Sequence, residues 1–239
     1  MAKQKTRKGK ATPDQSNELL ENPDAIASRL GRGELFLKEN TKIVAGAIGL
    51  VIAVIAGILF FQIHKANQNK KAQGEMFQAV YYYEQDSVEF ALEGDGVQPG
   101  FLEIINNYGG TDAANIAHFY VGSIYLSQGE YQSSIDHLEE FSSSDYFMQG
   151  HVYSLTGDAY LEMGNTDEAI SFYKKAADYN SNEHFTPKYL MKLALAYEEA
   201  GDLENAIETY GEIESEYFDS FEYTEARKQK ARLEGLASN

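Results

Sequence analysis

Residues 43–61 contain no charged side chain and no proline, and this run of 19 apolar and small residues constrains everything around it. At about 1.5 Å per residue it makes a helix of roughly 28 Å, close to the roughly 30 Å hydrocarbon thickness of a bilayer. A backbone in lipid must satisfy its own hydrogen bonds, so the run is expected to be a helical membrane anchor with its two flanks on opposite sides. A cleavable signal peptide would have a shorter apolar core nearer Met1, followed by a small-x-small site. Gln62-Ile63-His64-Lys65 offers none.

Charge orients the anchor. Residues 1–42 hold nine Lys and Arg against six acids, whereas residues 62–239 hold 11 against 31. Basic flanks stay cytoplasmic, which places the N-terminus inside. Close to the anchor the contrast is narrower, with Arg29, Arg32, Lys38 and Lys42 before it and Lys65, Lys70 and Lys71 after it. Within the basic segment, residues 1–17 lack apolar periodicity and read as a disordered tail. Asn22-Pro23 opens a short helix over 23–30, interrupted at Gly31-Arg32-Gly33. Leu35, Phe36 and Leu37 then suit the lipid surface or a flexible juxtamembrane linker.

The segment after the anchor is long enough for one soluble domain. The chain has no cysteine, which excludes a disulfide framework and a thiolate metal site. The acidic excess argues against nucleic acid as a partner of this domain, because phosphate binding needs clustered Lys and Arg.

The distal part repeats. Tyr125, Gly129, Ser134, Ile135 and Leu138 recur as Tyr160, Gly164, Ala169, Ile170 and Tyr173, and again as Tyr197, Gly201, Ala206, Ile207 and Tyr210. This spacing resembles the tetratricopeptide repeat, a helix-turn-helix unit of about 34 residues, over about 115–220. The glycines suit a left-handed residue ending each first helix. The small Ser134, Ala169 and Ala206 permit close helix approach, and the tyrosines at 125, 160 and 197 fill the groove between the helices. The eighth position of each unit is small as well: Gly122, Gly157 and Ala194. Asn165 with Glu168 has capping-box spacing, and Thr186-Pro187 is expected to cap the third unit.

The usual proline near the end of each unit is missing, so units one and two are expected to join less regularly. Upstream, a helix over 66–92 with Phe77, Val80, Tyr81 and Tyr83 near one face, followed by a short helix at Phe101, Ile104 and Ile105, reads as a degenerate repeat-like cap. A helix over about 221–236 covers the other end. The fold class is therefore all-α: a single N-terminal transmembrane helix followed by an α-solenoid of tetratricopeptide-like hairpins. Its parts are a cytoplasmic tail (1–42), an anchor (43–61) and an extracytoplasmic repeat domain (62–239).

Enzymatic chemistry finds no support. His64, His118, His137, His151 and His184 form no metal-ligand spacing, and His137 with Glu140 reads as a solvated face. Gly94-Asp95-Gly96 lacks the further oxygen ligands of a calcium loop. No phosphate-cradling loop or nucleophile elbow occurs. The reading is of a binding protein with no catalytic residue, cofactor, metal or small-molecule substrate.

The resemblance to the repeat family implies a concave groove built from first helices, at Phe119, Ser123 and Leu126 in the first unit. In the second unit it implies His151, Ser154, Asp158 and Glu162, and in the third Lys188, Met191, Leu195, Glu198 and Glu199. Family members that bind chaperone tails hold a terminal carboxylate with several groove Lys and Asn residues. With one lysine among acids, this groove suits a mixed or basic, partly apolar segment instead. In the anchor, Ala45, Gly49, Ala53 and Gly57 recur every four residues, a ridge on which another helix can pack closely.

The layout of basic tail, single anchor and acidic repeat domain, with Phe36-Leu37-Lys38-Glu39-Asn40-Thr41-Lys42 before the anchor, resembles the YfgM family of ancillary subunits of the bacterial SecYEG translocon. That resemblance implies an inner-membrane protein with a periplasmic repeat domain beside the channel exit. Its partners would be translocon membrane subunits and a membrane-anchored periplasmic chaperone of the peptidyl-prolyl isomerase type. Two alternatives stay open: a homo-oligomerising envelope structural protein, and a transmembrane regulator acting through the tail.

Overall fold

The structure, a computed structural model, describes residues 37–237. The tail over 1–17 and the short helix over 23–30 lie outside the described residues. The chain divides into two compact units, Met1–Ile63 and His64–Asn239.

All regular elements among the described residues are helices: α1 Thr41–Glu84, α2 Val88–Glu93, α3 Phe101–Asn107, α4 Asp112–Gln128, α5 Tyr131–Glu140, α6 Tyr146–Glu162, α7 Thr166–Asp178, α8 Thr186–Glu199, α9 Leu203–Glu216 and α10 Tyr223–Ala237. Helix α1 contains the apolar run and is long and apolar enough to cross a membrane. Within the first unit, Ala45, Gly49, Ala53 and Gly57 are all exposed, and a Cβ added at Gly49 or Gly57 would meet nothing within 4 Å.

In the second unit, α4–α5, α6–α7 and α8–α9 form three successive hairpins, with α10 packed on α9. Their turns are the same object three times. Gly129, Gly164 and Gly201 have φ of 78°, 77° and 76°, a region only glycine enters without strain. The next residue's N–H returns to the repeat tyrosine's carbonyl, from Glu130 to Tyr125, Asn165 to Tyr160 and Asp202 to Tyr197, each at 2.9 Å. The small residues that come soon after each glycine, Ser134, Ala169 and Ala206, are wholly buried where second helices meet first ones.

Several expectations need correction. The helix expected over 66–92 breaks at residues 85–87. There Asp86 takes φ 55° and the Ser87 N–H bonds to the Tyr82 carbonyl at 2.9 Å. This is the repeat turn again with aspartate in place of glycine, so no glycine marks the break. Phe77 and Tyr81 point to solvent; the buried face is Ala72, Met76 and Ala79, packed on Phe101, Ile104 and Tyr108. Asn165 starts α7, but its side chain makes no cap bond. Asn165 has ψ 69° and Asp202, after the corresponding glycine turn, ψ 72°, yet Asp202 accepts the Asn205 N–H at 3.2 Å, so the difference lies in the side chain and not in the backbone. Thr186 is the first residue of α8 rather than its cap. Its Oγ1 accepts the Asn182 N–H at 2.8 Å, while Asn182 Oδ1 accepts from His184 and Phe185.

The first and second hairpins join through residues 141–145, where Phe141 is buried and the backbone is pinned from both sides. Asn115 exchanges two hydrogen bonds with Ser142, and the Tyr179 hydroxyl donates to the Ser143 carbonyl at 3.0 Å.

Candidate protein-binding groove

Helices α4, α6 and α8 supply the first-helix face. Along it runs a ladder of rings. Phe119 of α4 lies 6.1 Å from His151 of α6, His151 stacks on Phe147 at 5.5 Å, and Phe147 meets Phe185, just before α8, at 4.6 Å. Two exposed apolar side chains lie on the same first helices, Ile116 on α4, 38% exposed, and Leu195 on α8, 48% exposed. Stacked and tilted ring pairs of this kind contribute about 0.5–1.5 kcal/mol each beyond the area they bury. The ladder is thus stiff as well as apolar.

The polar groups beside the ladder are paired internally. Asp158 accepts the Lys192 ammonium at 2.6 and 2.8 Å and the Tyr173 hydroxyl at 2.7 Å. Lys192 also donates to Ser154 Oγ at 2.9 Å. Burial, with Asp158 second, pushes the Tyr173 phenol well above its usual value. Burial lowers the His151 pKa, and the Lys192 ammonium adds to that effect, so the imidazole stacked on Phe147 is neutral at pH 7.

Of the sequence-derived groove residues, the structure brings Phe119, His151, Ser154 and Asp158 together across α4 and α6, with Met191 half-buried and Lys188, Leu195 and Glu199 exposed on α8. Ser123 is turned inward, its hydroxyl donating to the Phe119 carbonyl at 2.8 Å. Leu126 is half-buried near the end of α4. Glu162 accepts the Tyr131 hydroxyl at 3.2 Å. Glu198 faces α9 and α10, where it accepts the Tyr210 hydroxyl at 2.8 Å and pairs with Arg232.

Three contributors escaped the sequence reading: Phe147, Phe185 and Lys192. Lys192 lies one residue from Met191 and four from Lys188, so helical spacing was the signal for it; its partners on α6, 34 and 38 residues earlier, had none. With Lys192 counted, the centre of the groove is charge-balanced and apolar. A second unforeseen pair lies at the α4–α5 hairpin, where His118 Nδ1 and His137 Nδ1 stand 3.1 Å apart. Among the described residues no group of three or more His, Asp or Glu side chains has the geometry to hold a metal ion.

Residues 155–216 match the tetratricopeptide repeat family. The match covers the second half of α6 and all of α7, α8 and α9, so the chain carries a repeat of the kind that serves as a protein-interaction scaffold. No curated protein matches the chain.

Proposed function

We propose that the chain is a membrane-anchored tetratricopeptide scaffold associated with the protein translocon. In this reading residues 43–61 cross the bacterial inner membrane, residues 1–42 lie in the cytoplasm, and residues 62–239 form a periplasmic domain. The first-helix face holds a periplasmic chaperone or an emerging chain near the channel exit.

The observation that carries the binding role is the half-buried ring ladder from Phe119 to Phe185, with Phe147 and Leu195 exposed on a face whose central charges are already matched. Such a surface gains from covering apolar area and has no cluster of cations to clamp a terminal carboxylate. An extended, partly apolar segment fits it. Docking to membrane subunits falls to the small-residue ridge of the anchor, at Ala45, Gly49, Ala53 and Gly57.

The test is affinity purification of the intact protein with a photocrosslinking residue at position 147 or 195. Channel subunits and a chaperone are expected, the chaperone crosslinked from the groove. Leu195→Asp should release the chaperone and leave the channel subunits bound. Reproducible recovery of neither partner removes the translocon reading, and crosslinks unaffected by Leu195→Asp remove the groove.

A further inference from the structure

The 102 residues from 72 to 173 contain 17 Asp and Glu and no Lys or Arg. Of the 11 Lys and Arg of residues 62–239, Lys65, Lys70 and Lys71 precede this stretch on α1 and the other eight fall within residues 174–232. The anionic half, residues 72–173, therefore has no Lys or Arg of its own and meets the cation of Lys71 only at its edge, through Glu75, and that of Lys192 through Asp158, whereas residues 174–232 form ion pairs among themselves.

Within that anionic half lies an apolar patch remote in sequence from the groove. Phe77 and Tyr81 share a face of α1 four residues apart, and are 73% and 49% exposed. The Tyr81 ring neighbours Tyr82 at 6.3 Å, and Tyr82 neighbours Phe90 of α2 at 5.5 Å; Phe90 is 50% exposed. Beside them the loop after α2 holds out Val97, 84% exposed.

That loop is rigid. Asp95 accepts the Val97 and Gln98 N–H groups at 2.8 and 2.7 Å and the Tyr82 hydroxyl at 2.6 Å, and these bonds hold its carboxyl at about 2. A bridge between Gly94 and Pro99 closes the loop, and a Cβ at Gly94 or Gly100 would lie 2.3 or 2.2 Å from a backbone oxygen. An apolar residue fixed at a loop tip beside two exposed rings needs no ordering before it binds. Glu84, Asp86, Glu89 and Glu93 are exposed on the same two helices and the break between them.

We infer that the Phe77, Tyr81, Phe90 and Val97 patch is a second interaction surface, for a basic amphipathic segment of another protein that sets apolar side chains on the patch and Lys or Arg against its acidic surround. Charge complementarity selects this occupant. A second copy of the chain would bring the same acidic groups face to face in an isologous contact. Anionic lipid and nucleic acid are repelled on the same grounds. This surface depends on neither the groove nor the translocon.

The test uses the full chain in nanodiscs of zwitterionic lipid, with empty discs as baseline. The probe is a fluorescent 15-residue peptide bearing Leu on one helical face and Lys on the other; a Glu-for-Lys peptide is the control. The Lys peptide is expected to bind, more weakly as salt rises, and the Glu peptide not to bind. Phe77→Ser with Phe90→Ser should weaken the Lys peptide at least tenfold, Val97→Ser alone a few-fold, and Leu195→Asp in the groove not at all.

The three substituted patch residues, Phe77, Phe90 and Val97, are solvent-facing, and unchanged helicity and melting show that each variant is folded. Equal affinity for the two peptides, no binding of either, or a loss in the groove variant as large as in the patch variant overturns the inference. So does a wild-type dimer that the patch variant converts to monomer, since a second copy then covers the patch.

Discussion

Gly157→Ala tests whether the helix approach inside each hairpin is set by the absence of a side chain. A Cβ at 157 would stand 2.7 and 2.8 Å from two carbons of the Tyr173 ring, whereas ordinary contact begins at 3.4 Å. The ring must therefore retreat by about 0.7 Å. It is 2% exposed and its hydroxyl is fixed to Asp158 at 2.7 Å, so it has little room to do so. Overpacking a tight site costs about 1–3 kcal/mol, and weakening a hydrogen bond to a charged acceptor costs about 1 kcal/mol more. Alanine returns about 1 kcal/mol over glycine in a helix interior. The net expectation is a loss of about 1–3 kcal/mol, or a fall in Tm of roughly 2–10 °C for a domain of this size.

Thermal melts of the full chain in detergent, followed by circular dichroism, read this directly. Two neighbours calibrate it. At exposed Gly74, inside α1, an added Cβ meets nothing within 4 Å, so alanine there should raise Tm slightly. At Gly164, with φ +77°, alanine should cost about 1–2 kcal/mol from backbone strain alone. If Gly157→Ala raises Tm as Gly74→Ala does, the Tyr173 ring is displaceable and the close-approach argument fails.

Asp86 holds the left-handed conformation that glycine takes in the three repeat turns, so Asp86→Gly should stabilise the second unit by up to about 1 kcal/mol; a lower Tm would mean that the aspartate side chain holds the turn. Burial lowers both His118 and His137 below the ordinary histidine value of 6.5, so the native state favours neutral rings. The stability this gives is complete above pH 6.5 and declines as pH falls below it; His137→Phe should flatten the decline of Tm between pH 7 and 5, and an unchanged slope would assign the decline to other groups. Lys192→Met leaves Asp158 with the Tyr173 hydroxyl alone, and because the pair is partly exposed the expected loss is about 1 kcal/mol in urea melts; a neutral result would mean that the pair does not couple α6 to α8.

Where the backbone dictates residue type, the sequence disclosed it. A φ near +77° admits glycine with least strain, and a helix pressed on its partner admits Ser or Ala, so Gly129, Gly164 and Gly201 and the small residues five later could be read from spacing. The break at Asp86 was hidden because aspartate there carries the same geometry at an energetic cost. Phe77 and Tyr81 misled because an aromatic at helical spacing ordinarily marks a core face, and here Ala72, Met76 and Ala79 mark it instead. Spacing put Phe119, His151 and Asp158 on neighbouring first helices, but it did not disclose that Ser123 bonds its own helix, that Glu198 turns to α9 and α10, or how the charges pair. Which first-helix acid meets which cation depends on the lateral offset between successive hairpins, and no single helix encodes that offset.

The pairing that spacing hid has a pattern of its own. In the second hairpin Tyr173 donates to Asp158, which holds Lys192 of α8; in the third Tyr210 donates to Glu198, which holds Arg232 of α10. Each is a second-helix phenol, a first-helix acid and a cation from the next element, so each ties one hairpin to its C-terminal neighbour. The first hairpin has Leu138 where the others have tyrosine, and no Lys or Arg lies on α4, α5 or α6, so its junction to the second has no such triad and rests on the rings of Phe119, Phe141 and His151 and on uncharged-donor hydrogen bonds such as Tyr131 to Glu162. Ionic coupling weakens with salt and apolar coupling does not. Arg232→Met should therefore loosen α10 much as Lys192→Met loosens α8, giving faster hydrogen exchange in α10 and none of that change in α4. Faster exchange spread equally over both halves would show that the stack opens as one body and that the two kinds of junction are equivalent.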